Sequence, residues 1–110
     1  MELIASLLAL AERQPFGFTV RLPDLTPVRE GFAVAYAATQ NSHTPEQIER
    51  CVSHALANDG VIGGWRDTDT DTWYWDSVRI YADRAEAEAA GRREAQIGVY
   101  DLGNDEYIPL

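Results

Sequence analysis

Between Trp73 and Tyr81 the side chains alternate with period two, placing Trp73, Trp75, Ser77, Arg79 and Tyr81 on one face and Tyr74, Asp76, Val78 and Ile80 on the other. That period belongs to a β-strand. With an apolar arm before it and an Asp/Thr run between the two arms, the stretch 61–81 predicts a β-hairpin. Aromatic residues on both faces of the second arm place that arm centrally in a sheet, or make one face a contact surface. Upstream, a helical period takes over. Leu3, Ile4, Leu7, Leu8 and Ala11 form one stripe on a helix over Glu2–Arg13, with Leu10 off the stripe, and Pro15 and Gly17 end it.

A strand over 18–22 follows, then a connection, 23–27, whose two prolines argue against regular pairing. A second strand, 32–37, is apolar on both faces. Thr44, Pro45 and Gln47 supply a cap, a first-turn proline and a capping-box partner, and Ile48, Cys51, Val52, Ala55 and Leu56 form the buried stripe of the next helix. Asp83 and Glu86 open a third helix reaching Glu94, with Ala82, Ala85 and Ala89 inward and Arg84, Glu88 and Arg92 at i, i+4 spacing on the solvated side. A strand over 97–102 precedes a turn and a short tail. The order αββαββαβ predicts an α+β fold in one domain, 1–110: a mainly antiparallel five-stranded sheet with three helices on one face.

Composition narrows the class of partner. With 110 residues, 45% of them hydrophobic, the chain can bury one core without metal or disulfide support. Eighteen acidic residues against nine basic ones give a net charge of -9, which repels nucleic acid and anionic membranes and favours basic partners. All nine basic residues are arginine, a bias that genome composition explains. The single Cys51 excludes an internal disulfide and, with only His43 and His54, leaves no zinc quartet. The opening MELIASLLALAE lacks the positive start of a signal sequence, and no run reaches the roughly 18 apolar residues of a membrane span. The expected location is the cytoplasm.

Candidate chemistry is sparse. Asp67, Asp69 and Asp71 begin like a calcium loop, but Thr72 stands where the loop glycine belongs and Val78 where the bidentate glutamate belongs, so neither metal nor cofactor is expected. Cys51 and His54 are the one close nucleophile and base pair, with the thiol facing the core. Gly63-Gly64 lacks the Lys-Ser/Thr of a phosphate loop and reads as a bulge or a close backbone approach. Thr39, Gln40, Asn41 and His43 can line a small polar pocket or cap a loop. What remains is acidic: Asp67, Asp69, Asp71 and Asp76 beside Trp73, Tyr74 and Trp75, a combination able to imitate a phosphate backbone or simply to keep the protein soluble.

The stretches GFTV, TQN, GGW-D, Y-DS and the closing Asp101-Leu102 resemble small proteins of phages and other bacterial mobile elements, a family pattern without an assigned activity. The matching positions are Thr39, Gln40, Asn41, Gly63, Gly64, Trp65, Asp67, Tyr74, Asp76 and Ser77; the Trp-rich arm and the longer acidic turn depart from the pattern. By analogy with inhibitors carried by such elements, the expected function is a non-enzymatic acidic binding protein. It would block the basic nucleic-acid site of a host defence protein, as anti-CRISPR and anti-restriction inhibitors do. The competing expectation is a small-molecule-binding or enzymatic domain built on Gln40, Asn41, His43 and Asp76. A third is a homodimer pairing its exposed aromatics.

Overall fold

The structure, a computed structural model, describes residues 2–110. It contains three helices, α1 (Glu2–Arg13), α2 (Pro45–Ala57) and α3 (Arg84–Arg93). Seven strands accompany them: β1 (Phe18–Arg21), β2 (Thr26–Pro27), β3 (Phe32–Ala35), β4 (Val61–Asp67), β5 (Thr72–Tyr81), β6 (Gly98–Asp101) and β7 (Glu106–Pro109). They form one antiparallel sheet in the order β2-β1-β4-β5-β3-β6-β7, curled into a half-barrel. The α+β class stands, but the expected five-stranded sheet is corrected to seven strands. The second hairpin arm, β5, is the middle strand.

Both extra strands were hidden by local chemistry. Pro27 was expected to prevent pairing, yet in β2 it stands opposite Val20 between the bonded positions Arg21–Thr26 and Thr19–Val28, so its nitrogen faces away from the sheet and no ladder bond is lost. β7 takes the place of the expected short tail, and only Ile108 on it is buried. It returns along β6 through a turn in which the Asp101 carboxylate accepts the Asn104 backbone N–H at 3.2 Å and its side-chain amide at 2.8 Å. Pro109 likewise turns its nitrogen outward, since the N–H of Leu110 makes the bond to Ile97. A proline on each outer strand leaves neither edge a good template for another strand.

All three helices lie on one face. α1 and α2 bring Leu7, Ala11, Ile48, Cys51 and Val52 onto Val20, Ile62 and Trp75, and α3 brings Ala87 and Ala90 onto Val34, Val99 and Ile108. The register puts Val34 opposite Arg79 and Ile62 opposite Ser77, so these strand residues share that face. The α2 capping box forms as expected, with the Thr44 hydroxyl accepting the Gln47 N–H and the Gln47 side chain accepting the Thr44 N–H. Helix phases are less faithful to expectation. Leu10 packs on the core while Leu8 and Leu56 are exposed, and α3 turns Ala87, Ala90 and Gly91 inward in place of Ala82, Ala85 and Ala89. Glu88 bridges Arg84 and Arg92 as the spacing implied.

The opposite face carries no helix. Alternation places Thr19, Val61, Gly63, Trp65, Tyr74, Asp76, Val78 and Ile80 there. Near its middle Val61 and Val78, directly paired, are almost inaccessible.

Candidate functional site

The acidic turn is organised by its own side chains. The Asp67 carboxylate accepts the backbone N–H of Asp69 at 3.0 Å, and Asp71 occupies the left-handed region at φ 54°, which Asp tolerates better than most residues. Arg66 reaches Asp71 at 3.4 Å, an exposed pair of little energetic weight. Asp69 alone has neither task. Among the described residues no group of three or more His, Cys, Asp or Glu side chains is placed to hold a metal ion.

Behind the hairpin, a buried polar network ties the 39–42 loop to β5 and α2. Thr39 Oγ1 accepts the Ser77 N–H at 3.0 Å, the Ser42 hydroxyl donates to the Thr39 carbonyl at 2.5 Å, and Arg50 donates to that hydroxyl at 2.8 Å. Ser42 and Trp75 exchange a bridge, and Cys51 Sγ lies 3.3 Å from the Trp75 carbonyl. Burial pushes the Cys51 thiol pKa up, which makes it a core donor and a poor nucleophile. Its expected partner His54 turns elsewhere, setting Nδ1 2.7 Å from Ser77 Oγ. Sequence reading missed that pair, because seryl and imidazole groups on different elements give no local signal. Ser77 is fully buried, so the pair is closed to a substrate.

Of the aromatics expected at the partner surface, the structure splits the set by strand face. Trp75 is 1% exposed and packs edge-on to Phe18, and Trp73 sits half-buried beside both. These two belong to the helix-covered side. Tyr74 lies on the open side, stacked on Trp65 with centroids 4.8 Å apart, and the His43 ring meets it edge-on at 5.6 Å. Trp65 is 48% exposed. Gly17 packs against the Trp65 backbone, and the neighbouring Phe16 is fully exposed, an apolar side chain that the sequence analysis did not single out.

Asp76 completes this surface. The register pairs Gly63 with Asp76 and Trp65 with Tyr74, so four adjacent positions of one face form a square: two aromatics, a carboxylate and a corner with no side chain. A Cβ built on Gly63 would lie 3.3 Å from Val78 Cγ2 and 3.9 Å from Thr19 Oγ1, so the neighbouring side chains already close over this buried glycine. Asp76 is half-buried, receives no side-chain hydrogen bond or ion pair from the described residues, and burial alone pushes its carboxyl pKa up to about 6. Asp76 is therefore a carboxylate the fold leaves partnerless.

The polar loop lines neither of the two hollows found on the described residues. Thr39 is buried in the network, and Gln40, Asn41 and His43 are exposed, with Asn41 in the left-handed region at φ 61°. Two hollows, of about 490 and 390 Å³, are lined by other residues, the first by Arg21, Asp59, Val61 and Ile80 and the second by Arg79, Tyr81, Glu86 and Arg93. The residues of the family-like pattern nonetheless converge: Thr39 on Ser77, Trp65 on Tyr74, Gly63 opposite Asp76, and Gly64 so close to the Phe18 ring that a Cβ would lie 2.7 Å from it. Most of these contacts build the fold. Trp65, Tyr74 and Asp76 remain without a structural task that requires their chemistry.

No family model matches the chain, and no curated protein and no solved structure matches it either. Among the described residues no helix is long and apolar enough to cross a membrane.

Proposed function

We propose that this is a non-enzymatic acidic binding protein that docks on a basic surface of a protein partner through the outer face of the β4–β5 hairpin. The observation that carries the reading is the exposed Trp65–Tyr74 stack beside a carboxylate without a partner, next to the turn that holds Asp67, Asp69 and Asp71. Aromatic anchors rimmed by charge are the composition of a binding surface. A chain of charge -9 gains association rate toward basic sites by long-range steering. The resemblance to mobile-element proteins makes a nucleic-acid-binding effector of host defence the favoured partner, as for an anti-CRISPR or anti-restriction inhibitor.

The test is to capture host proteins on the immobilised chain and titrate the purified captured protein at graded salt. The reading expects a nucleic-acid-binding protein, displaced by its own nucleic acid, whose affinity falls with salt. Replacing Asp67, Asp69 and Asp71 together by Asn should weaken binding and flatten that salt dependence. Affinity unchanged at low salt would contradict charge mimicry.

A further inference from the structure

We infer that the hollow between β5 and α3 binds a small, hydroxyl-bearing phosphate monoester, with Arg79 and Arg93 gripping the phosphate. This site goes beyond the proposed function and does not depend on it. Arg79 stands opposite Val34 and Tyr81 opposite Phe32, on the helix-covered side of β5 and away from the Trp65–Tyr74 stack. The topology sets the geometry. β5 and β6 each pair antiparallel with β3, so they run parallel to one another, and the helix that joins them, α3, runs back along β5. The α3 face at Glu86, Ala89 and Arg93 therefore passes Tyr81 first and Arg79 later, and these five residues line an open hollow of about 390 Å³.

Three features select the ligand. The first is a pair of free cations in a chain with eighteen acidic residues and nine arginines. Among the described residues neither Arg79 nor Arg93 has a carboxylate within ion-pair distance. Carboxylates of the neighbouring segments are engaged elsewhere: Glu88 holds Arg84 and Arg92, Glu94 accepts the Ala37 N–H at 2.9 Å, and Asp59 accepts the Tyr36 hydroxyl. The second is orientation. The Arg79 guanidinium carbon lies 5.2 Å from the centre of the Tyr81 ring, a cation–π contact that covers one face of the fork and leaves its N–H edge free. Two such forks match a phosphate monoester, which carries a charge of about -2 and three acceptor oxygens, whereas one fork already satisfies a carboxylate. The third is Glu86, two helical turns from Arg93 and roughly 10 Å away along the axis. It sets a carboxylate at the far end of the hollow, where it accepts a hydroxyl and repels a second phosphate. Ala89, between them, is too small to fill the space. A net charge of -9 opposes an extended polyanion here.

The test titrates the whole chain with glycerol phosphate, methyl phosphate and inorganic phosphate at constant ionic strength, while the amide signals of Arg79, Tyr81, Ala89 and Arg93 are followed by NMR. Saturable shifts centred on these residues are expected, with glycerol phosphate binding most tightly. Arg79→Gln and Arg93→Gln, both at exposed positions, should each weaken binding by about tenfold. Ala89→Leu should block it by filling the hollow, while Arg92→Gln leaves it near wild type. Unfolding midpoints on the same variants show that the fold is kept. No saturable shift, or equal affinity in the Arg79 and Arg93 variants and wild type, overturns the inference. Inorganic or methyl phosphate binding as tightly as glycerol phosphate overturns the choice of a hydroxyl-bearing ester. The variant with Asn at 67, 69 and 71 should bind phosphate as wild type does, so the failure of either site leaves the other standing.

Discussion

The carboxyl group of Asp76 stands directly across the β4–β5 ladder from Gly63, a residue with no side chain to hydrogen-bond or screen it. Burial without compensation raises the Asp76 pKa from 3.8 to about 6. A carboxyl whose folded pKa exceeds its unfolded one binds its proton more tightly in the folded state, so its effect on stability is favourable below that window and lost as pH rises through it. From Asp76, stability should fall between about pH 4 and pH 6 and level off above. Asp76→Asn should remove that slope and stabilise the protein at pH 7, by at most about 3 kcal/mol and less as solvent reaches the group. Denaturant titrations at pH 4 and pH 7 measure it. A less stable Asn variant at pH 7 would reveal a stabilising partner for the carboxylate.

The three tryptophans should separate cleanly. Trp75→Ala removes a fully buried ring that packs on Phe18 and should cost about 3–5 kcal/mol. Trp65→Ala, at a half-exposed site, should cost about 1 kcal/mol or less in stability while reducing partner binding. Unfolding midpoints and binding titrations on both variants check this, and a Trp65 variant as unstable as the Trp75 one would assign Trp65 to the core.

Thr39→Val keeps the shape of the side chain but removes the oxygen that accepts the Ser77 N–H at 3.0 Å. A buried backbone donor is then left unpaired, at a cost of about 1–3 kcal/mol. Thr39→Ser retains the oxygen and should recover most of that loss. If Val and Ser variants were equally stable, the hydrogen bond would contribute nothing net.

Cys51 should resist thiol reagents in the folded protein. It is fully buried and burial pushes its pKa up, so modification should proceed only through opening of the core. The rate of reaction with an aromatic disulfide should rise with denaturant in step with unfolding. Rapid reaction of the native protein would place the thiol at the surface.

Much of the hairpin was legible because its period-two pattern is long and its residues are large. The same alternation already separated Tyr74 and Asp76 from Trp73 and Trp75. Grouping all four as one surface ignored it, and the structure corrects this by burying Trp75. The capping box at Thr44 was legible because side-chain and backbone chemistry act within one turn. The phase of α3 was not, since its sequence RAEAEAAGRR repeats alanine on every side; the inward face is decided by Gly91, where a Cβ would lie 2.9 Å from Val99 Cγ1. β2 and β7 were hidden because a proline on an outer strand looks the same in sequence whether its nitrogen faces the sheet or solvent. The isolation of Asp76 was beyond sequence reading, because it depends on register: only pairing with Gly63 deprives the carboxylate of a neighbour.

If a basic partner docks on the outer face of the hairpin, it brings positive charge to the Asp76 carboxylate. The most direct measurement is the titration of the Asp76 side-chain carboxyl by NMR, alone and with the captured partner bound. The free protein should show a pKa near 6, and the bound partner should pull it down toward the ordinary carboxylate range, because a nearby cation favours the charged form. An ordinary pKa in the free protein, or a raised one that the partner leaves unmoved, would contradict this reading.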